Sequence, residues 1–224
     1  MALNRSQEGL SSVHRALRVE VFSDRAASSY LGSPSKRSLD LFISSIGVLA
    51  FLLILPFVAL VIKLSSPGPV LYRQKRTGLH GKPFHVIKFR TMRTDAEADG
   101  NPVWASADDP RLTGVGSLLR RLYIDEFPQW WNVWRGEMSV VGPRPERPEL
   151  ASRILEHVPE FNQRLLAKPG ITGLAQVNYK YTNSVAEARN KLRLDLVYIN
   201  AASLWVDLKL VVRTVRRVFT FKGT

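Results

Sequence analysis

LDLFISSIGVLAFLLILPFVALVIKL, residues 39–64, decides how the rest of this chain can be arranged. Between Leu41 and Ile62 it has no ionisable side chain, and Ser44 and Ser45 are its strongest polar groups. As a helix this run reaches about 33 Å at 1.5 Å per residue, close to the roughly 30 Å hydrocarbon core of a bilayer. A helix apolar around its whole circumference belongs either in a protein core or in a membrane, and this length favours the membrane. The run lies too far into the chain for a cleaved signal peptide, and LSSPGPVLYRQKR follows it in place of a small-residue cleavage site.

The flanks constrain the topology. Lys36 and Arg37 precede the run, and Lys63, Arg73, Lys75 and Arg76 follow it. Cationic flanks stay on the cytoplasmic side, so a straight span leaves one flank misplaced, whereas a hairpin that enters and leaves by one leaflet satisfies both. Pro56 lacks a backbone donor and clashes with the preceding turn, which makes it the natural bend point. Ser44, Ser45 or packing against the remaining chain would then have to compensate the freed backbone groups. On charge alone the hairpin leads the straight span only slightly.

The 224 residues suit one medium domain with a membrane attachment. Absence of cysteine excludes disulfides and thiolate metal sites. Against 19 Asp and Glu there are 32 Lys and Arg, a formal charge of +13, so an anionic partner is expected: nucleic acid, acidic lipid or a phosphorylated substrate.

Residues 1–35, rich in Ser, Arg and Ala, read as a mobile or loosely helical leader, and residues 36–64 as the membrane helix-break-helix. Residues 65–224 then form the cytoplasmic domain. Within it PVLYRQKRTGLHGKPFHVIKFRTM reads as two strands around a glycine turn. Thr113 is placed to cap GVGSLLRRLY, and Asp125 to cap EFPQWWNVW. ELASRILEHVPEFNQRLL is a further helical stretch. The tail SLWVDLKLVVRTVRRVFTFKG sets Leu204, Leu208, Val211, Val212, Val215 and Val218 opposite Lys209, Arg213, Arg216 and Arg217, a basic amphipathic helix suited to an anionic membrane surface or to ordinary core packing. The fold class expected is α+β, mainly helical: a re-entrant hairpin joined to a small cytoplasmic domain with a short β-hairpin and surface amphipathic helices.

No P-loop, dinucleotide fingerprint, HExxH or GxSxG motif is present, and the four histidines are scattered. What remains is carboxylates among cations. RRLYIDEFPQWWN, residues 120–132, sets Asp125 beside Glu126 five positions after Arg120. At a helix start, backbone N–H groups favour an ionised Asp125 and a phosphate beside it. Such a carboxylate can attack phosphorus, while Glu126 tunes it, accepts a proton or helps hold a divalent cation. An isolated Asp-Glu pair is more often a plain helix cap, so the neighbours matter. In GPRPERP, Pro143 and Pro145 restrict the backbone around Arg144, which suits either a pre-ordered phosphate clamp or a rigid surface turn with a solvated arginine. Lys88 and Arg90 alternate along VIKFRTM and so share a strand face, facing either ligand or solvent. Phe127, Trp130, Trp131 and Trp134 form an aromatic stripe suited to a core or an interfacial belt, and Gln129 and Asn132 are placed to bond a nucleotide, brace the site or face solvent.

Taken together, KRSLD, IKLSSPGPVLYRQKRTG, KFRTM, DDPRLTGVGSLLRR, IDEFPQWWNV, GEMSVVGPRPERPE and KPGITGLAQVN resemble the bacterial sugar transferase family, the monotopic phosphoglycosyl transferases, from Lys36 to the C-terminus. The resemblance implies transfer of a sugar 1-phosphate from a UDP-sugar to polyprenol phosphate at the inner membrane, with release of UMP, a Mg²⁺ requirement and a catalytic domain facing the cytoplasm. It implies Asp125 as nucleophile, Glu126 beside it, and Arg120 and Arg144 as phosphate or nucleotide contacts. It also strengthens the hairpin. Here the bend pair is Leu55-Pro56 where the family commonly has Ser-Pro further from the lysine matching Lys63, which places the bend later along the helix. Inner-membrane lipids are then partners, nucleic acid is not, and a homo-oligomer stays open. Two other readings are a non-catalytic membrane-tethered adaptor and a UDP-sugar hydrolase. The sugar is not legible.

Overall fold

The structure, a computed structural model, describes residues 27–96, 109–179 and 185–219. The first 26 residues of the expected leader lie outside that set. From Ala27 on, the chain is docked: Ser28 N–H donates to Ile199 O at 3.0 Å, Ser28 Oγ to Ala202 O at 2.8 Å and Tyr30 Oη to the Asp207 carboxylate at 3.1 Å. The sequence boundary at residue 35 therefore falls inside an anchored segment.

Helix α1, Pro34–Ser65, is opened by Ser33, whose Oγ accepts from Lys36 N–H, with Pro34 in the first turn where it loses no helical bond. It is one continuous helix with Pro56 inside it. The expected separation into two helices at Pro56 is not seen; a proline costs one backbone bond and a local clash, which a helix can absorb as a kink. One stripe of α1 is buried, through Lys36, Asp40, Ser44, Gly47, Phe51 and Ile62, at the i, i+3 and i+4 spacing of a single helical face. Phe42, Ile46, Leu49, Leu53, Phe57, Leu60 and Leu64 are exposed on the rest of its surface.

The expected β-hairpin is present. Strands β1, Leu71–Thr77, and β2, Pro83–Phe89, pair antiparallel from Leu71–Phe89 to Thr77–Pro83, around a turn in which His80 and Gly81 take positive φ. Helix α2, Gly114–Arg121, starts under Thr113, whose Oγ1 accepts from Gly116 N–H at 2.9 Å as expected. A 3₁₀ turn over Ile124–Glu126 leads to α3, Gln129–Trp134. Strand β3, Ser139–Val141, pairs in parallel with β4, Gly170–Thr172, a pairing the sequence did not announce. Between them lie α4, Pro148–Leu155, and a 3₁₀ stretch over Pro159–Leu166. Helices α5, Leu174–Asn178, α6, Val185–Ala201, and α7, Leu204–Phe219, complete the described chain.

The main core gathers Phe84 and Val86 of β2, Val133 of α3, Val140 and Val141 of β3, and Leu194, Tyr198 and Leu210 of the last two helices. A second cluster joins α1 to the hairpin and α2 through Phe51, Ile62, Phe89 and Leu119, with the Phe51 and Phe89 rings 5.7 Å apart. Helix α7 turns Asp207 and Leu210 inward and leaves Trp205, Val212, Val215 and Val218 exposed beside its arginines. Of the aromatic stripe, Phe127 and Trp130 pack against core clusters, while Trp131 and Trp134 stack on each other at 5.2 Å and remain partly exposed.

Close approach of α1 to α3 depends on Gly47, where a Cβ would lie 2.3 Å from Trp130 Cδ2. Gly47→Ala should therefore lower stability by about 1–3 kcal/mol through overpacking, measured by chemical denaturation of the nanodisc-embedded protein. Unchanged stability would mean that this contact does not form.

Candidate active site

The Asp-Glu pair is set by the break between α2 and α3. After Arg121 the backbone of Tyr123 turns left-handed, with φ 57°, and its N–H donates to Arg120 O at 3.0 Å, the closing turn that glycine usually supplies to a helix. Asp125 follows in the 3₁₀ turn and is buried. It is not a helix cap: α3 starts three residues beyond Glu126, and Pro128 precedes it with no side-chain cap bond. The expectation that a helix start keeps Asp125 ionised is corrected here. Pro128 supplies no backbone donor of its own, and the tight turn ends before α3 begins.

Glu126 carries the geometry of the site. Its Oε1 accepts from Lys88 Nζ of β2 at 2.7 Å and from Arg144 Nη2, in the loop after β3, at 2.9 Å. Burial by itself would raise this carboxyl, but Arg144 and Lys88 overcome it and hold Glu126 well below the usual carboxylate range. Asp125 goes the other way. Burial pushes it up to about 6, opposed by Lys88, reinforced by the adjacent Glu126 charge, and opposed further by Arg120 and Arg144. Burial also lowers Lys88, which Glu126 counteracts. Two neighbouring carboxyls are thereby split into a fixed anion and a desolvated group that titrates near neutrality.

Among the residues expected at the site, Lys88, Arg120, Asp125, Glu126 and Arg144 converge. Arg120 is steadied by Thr91, whose Oγ1 accepts from Nε at 3.0 Å. Arg90 points elsewhere: its guanidinium donates to Pro67 O and Ser66 O, both at 2.7 Å, and closes the end of α1. The shared strand face expected for Lys88 and Arg90 ends with β2 at Phe89. Asn132 is fully buried as a brace, its Oδ1 accepting from Ile87 N–H at 3.1 Å and its amide donating to His85 O at 2.8 Å and Glu137 at 2.7 Å. Gln129 is buried in the same helix.

Sequence reasoning passed over two supports. Arg164 donates to the Arg144 carbonyl at 2.8 Å and lies 2.8 Å from the buried Asp195 carboxylate, and Thr91 steadies Arg120. Neither has a local signal, because each works through a partner distant in sequence. Among the described residues no group of three or more His, Cys, Asp or Glu could hold a metal by itself. A Mg²⁺ ion commonly takes one or two carboxylates and completes its shell with substrate phosphates and water, and Asp125 with Glu126 fits that pattern.

A profile described as bacterial sugar transferase matches residues 31–221. The chain is 45% identical over 188 residues to the UDP-glucose:undecaprenyl-phosphate glucose-1-phosphate transferase of Caulobacter vibrioides, covering 83% of this chain and 70% of that protein. It is 38% identical over 188 residues to the UDP-N-acetylgalactosamine-undecaprenyl-phosphate N-acetylgalactosaminephosphotransferase of Aeromonas hydrophila, covering 84% of this chain but only 44% of that one. With the exopolysaccharide production protein PSS of Rhizobium leguminosarum bv. phaseoli it shares 43% identity over 185 residues, 80% of this chain and 92% of the other. The chain belongs to the bacterial sugar transferase family.

Proposed function

We propose that this protein transfers a sugar 1-phosphate from a UDP-sugar to polyprenol phosphate, releasing UMP, as a first membrane step in lipid-linked glycan or exopolysaccharide assembly. The observation that carries this reading is the split pair: a buried Asp125 beside a Glu126 already neutralised by Lys88 and Arg144. The relatives' names supply the reactant classes.

The reaction runs in two displacements. An Asp125 carboxylate oxygen attacks the β-phosphorus of the donor; the bond from that phosphorus to the bridging oxygen breaks, and UMP leaves with the bonding pair. A phosphate oxygen of the acceptor then attacks the same phosphorus, and the Asp125 carboxylate is released. Arg120 and Arg144 grip the phosphoryl oxygens, and Lys88 with Arg144 neutralises the Glu126 charge that would otherwise repel the donor phosphates. Desolvation leaves Asp125 more nucleophilic than a hydrated carboxylate. Mg²⁺, held by Asp125 and Glu126 with the donor phosphates, would neutralise charge on the diphosphate.

The membrane arrangement follows from how α1 is fastened. Lys36 near its start lies 2.6 Å from Asp207, and Ser66 just past its end accepts from Arg90. Thirty-two helical residues would measure about 48 Å if straight. A bilayer-crossing helix with both ends bonded to one polar domain would pull that domain into hydrocarbon. We therefore read α1 as entering and leaving by the cytoplasmic leaflet of the inner membrane, bent near Pro56, with the exposed apolar residues of α7 at the headgroup level and the dyad facing the cytoplasm.

Purified protein given UDP-sugar without acceptor should release a burst of UMP no larger than the enzyme concentration, and Asp125→Asn should lower turnover on the order of a thousandfold. No burst, or an active Asp125→Asn variant, would remove the covalent step.

The first half-reaction should also report Asp125. Its raised position means that the reactive anion is lost as pH falls below about 6, so kcat/KM for UMP release should drop about tenfold per unit there. The donor diphosphate has no oxygen titrating in that range. If Asp125 touches the metal, raising Mg²⁺ moves this limb to lower pH; a flat profile between pH 5 and 7 would contradict the assignment.

A further inference from the structure

We propose that the membrane helix is itself a positioning device for Arg144, acting through the backbone of β3. This rests on the transferase reading above and adds Lys36 and Asp40 as positioning residues. Strand β3 has β4 on one side only, so its remaining backbone groups need partners from elsewhere. Helix α1 provides them. Asp40 Oδ1 accepts from Val140 N–H at 3.0 Å and from Ser139 Oγ at 2.9 Å. Lys36 Nζ donates to Val141 O at 3.2 Å, and the Tyr198 and Ser139 hydroxyls each lie 3.0 Å from that carbonyl, sharing their single protons between it and a neighbouring carboxylate. Two side chains of the helix thus do for β3 what a third strand would do.

All of these groups are buried: Lys36, Asp40, Ser139 and Asp207 are each less than 5% exposed. Lys36 joins the arrangement at both ends, 3.4 Å from Asp40 and 2.6 Å from Asp207. The Tyr198 hydroxyl also lies 2.9 Å from the Asp207 carboxylate, so the polar contacts form a ring around Val141.

Three residues after Val141 comes Arg144, across Gly142 and Pro143. That link is stiff. Gly142 N–H donates to Thr172 O and Gly170 N–H to Pro143 O, both at 2.9 Å, and a Cβ on Gly142 would sit 2.2 Å from Lys168 O. A displacement of β3 therefore reaches Arg144 with little slack, and an error of about 1 Å in a phosphate-gripping group can cost a hundredfold in rate. Seating of the helix in the membrane and assembly of the dyad's cationic clamp become one event.

The test is a double-mutant cycle on UMP release by the full chain in nanodiscs, read with hydrogen exchange. Asp40→Ala should lower kcat/KM between about tenfold and a hundredfold, chiefly in kcat, and Asp40→Asn, which keeps the accepting oxygen, should restore most of it. In an Arg144→Ala background, Asp40→Ala should cost nothing further, because the path it acts through is gone. A merely structural role would repeat the full loss there and would overturn the proposal. Hydrogen exchange across residues 139–147 should quicken in Asp40→Ala while β1 and β2 stay protected; unchanged exchange would overturn it too, whether or not any UDP-sugar turns over. Tyr198→Phe, which removes one of the donors on Val141 O, provides the milder variant should Asp40→Ala fail to fold, with a smaller loss that again vanishes without Arg144. If the wild-type protein releases no UMP from any UDP-sugar, the transferase reading fails by itself, and the exchange data still decide whether α1 holds β3.

Discussion

Glu126 shared between Lys88 and Arg144 is the contact on which the rest of the site depends. It ties the β-hairpin to the loop after β3 through one carboxylate oxygen, and it fixes the charge of one acid of an adjacent pair. Two ionised neighbours would repel, and burial penalises both; giving the cations to Glu126 leaves Asp125 to take most of the cost. That asymmetry turns a sequence-adjacent pair into two groups with different work. A surface Asp-Glu pair would have no reason to divide in this way.

The long apolar helix and the site are parts of one packing problem. Helix α1 buries a stripe that begins with charged residues and ends with Phe51 and Ile62, so its early turns join a polar network and its later turns an apolar cluster. Its exposed middle turns are mostly apolar. The charged start would be costly in lipid without Asp207 and the β3 backbone, and β3 would be left with open hydrogen-bonding groups without the helix. Each half satisfies what the other leaves unpaired.

Much of this was legible in the sequence because it rests on local rules. The uncharged run from Leu41 to Ile62 marked α1, the glycine turn marked the β1–β2 hairpin, and Thr113 marked the start of α2. The placement of Arg120 and Arg144 beside the dyad followed from motif context, whereas Lys88 was open between the site and a solvated strand face and lies against Glu126. What failed was decided at longer range. Asp125 looked like a helix cap, but the chain makes a tight turn first and α3 starts only after Pro128. Lys88 and Arg90 share a parity on paper, yet the strand stops at Phe89 and Arg90 swings to the end of α1. Asn132 was open between a nucleotide, a brace and solvent, and only the distant β2 and Glu137 decide for the brace. Strands of three residues, as in β3 and β4, have too little pattern to be recognised, and their pairing spans about thirty residues of intervening chain. Asp40 carried no local signal and proves to be a buried partner of β3.

The central claim is that Asp125, and not its clamped neighbour, bonds to phosphorus. Mass spectrometry of protein quenched in acid after mixing with UDP-sugar alone tests it most directly. The account predicts a sugar phosphate on the peptide Leu122–Arg135, localised to Asp125 and absent from Asp125→Asn. An adduct on Glu126 or on another peptide, or stoichiometric UMP release with every peptide unmodified, would contradict it.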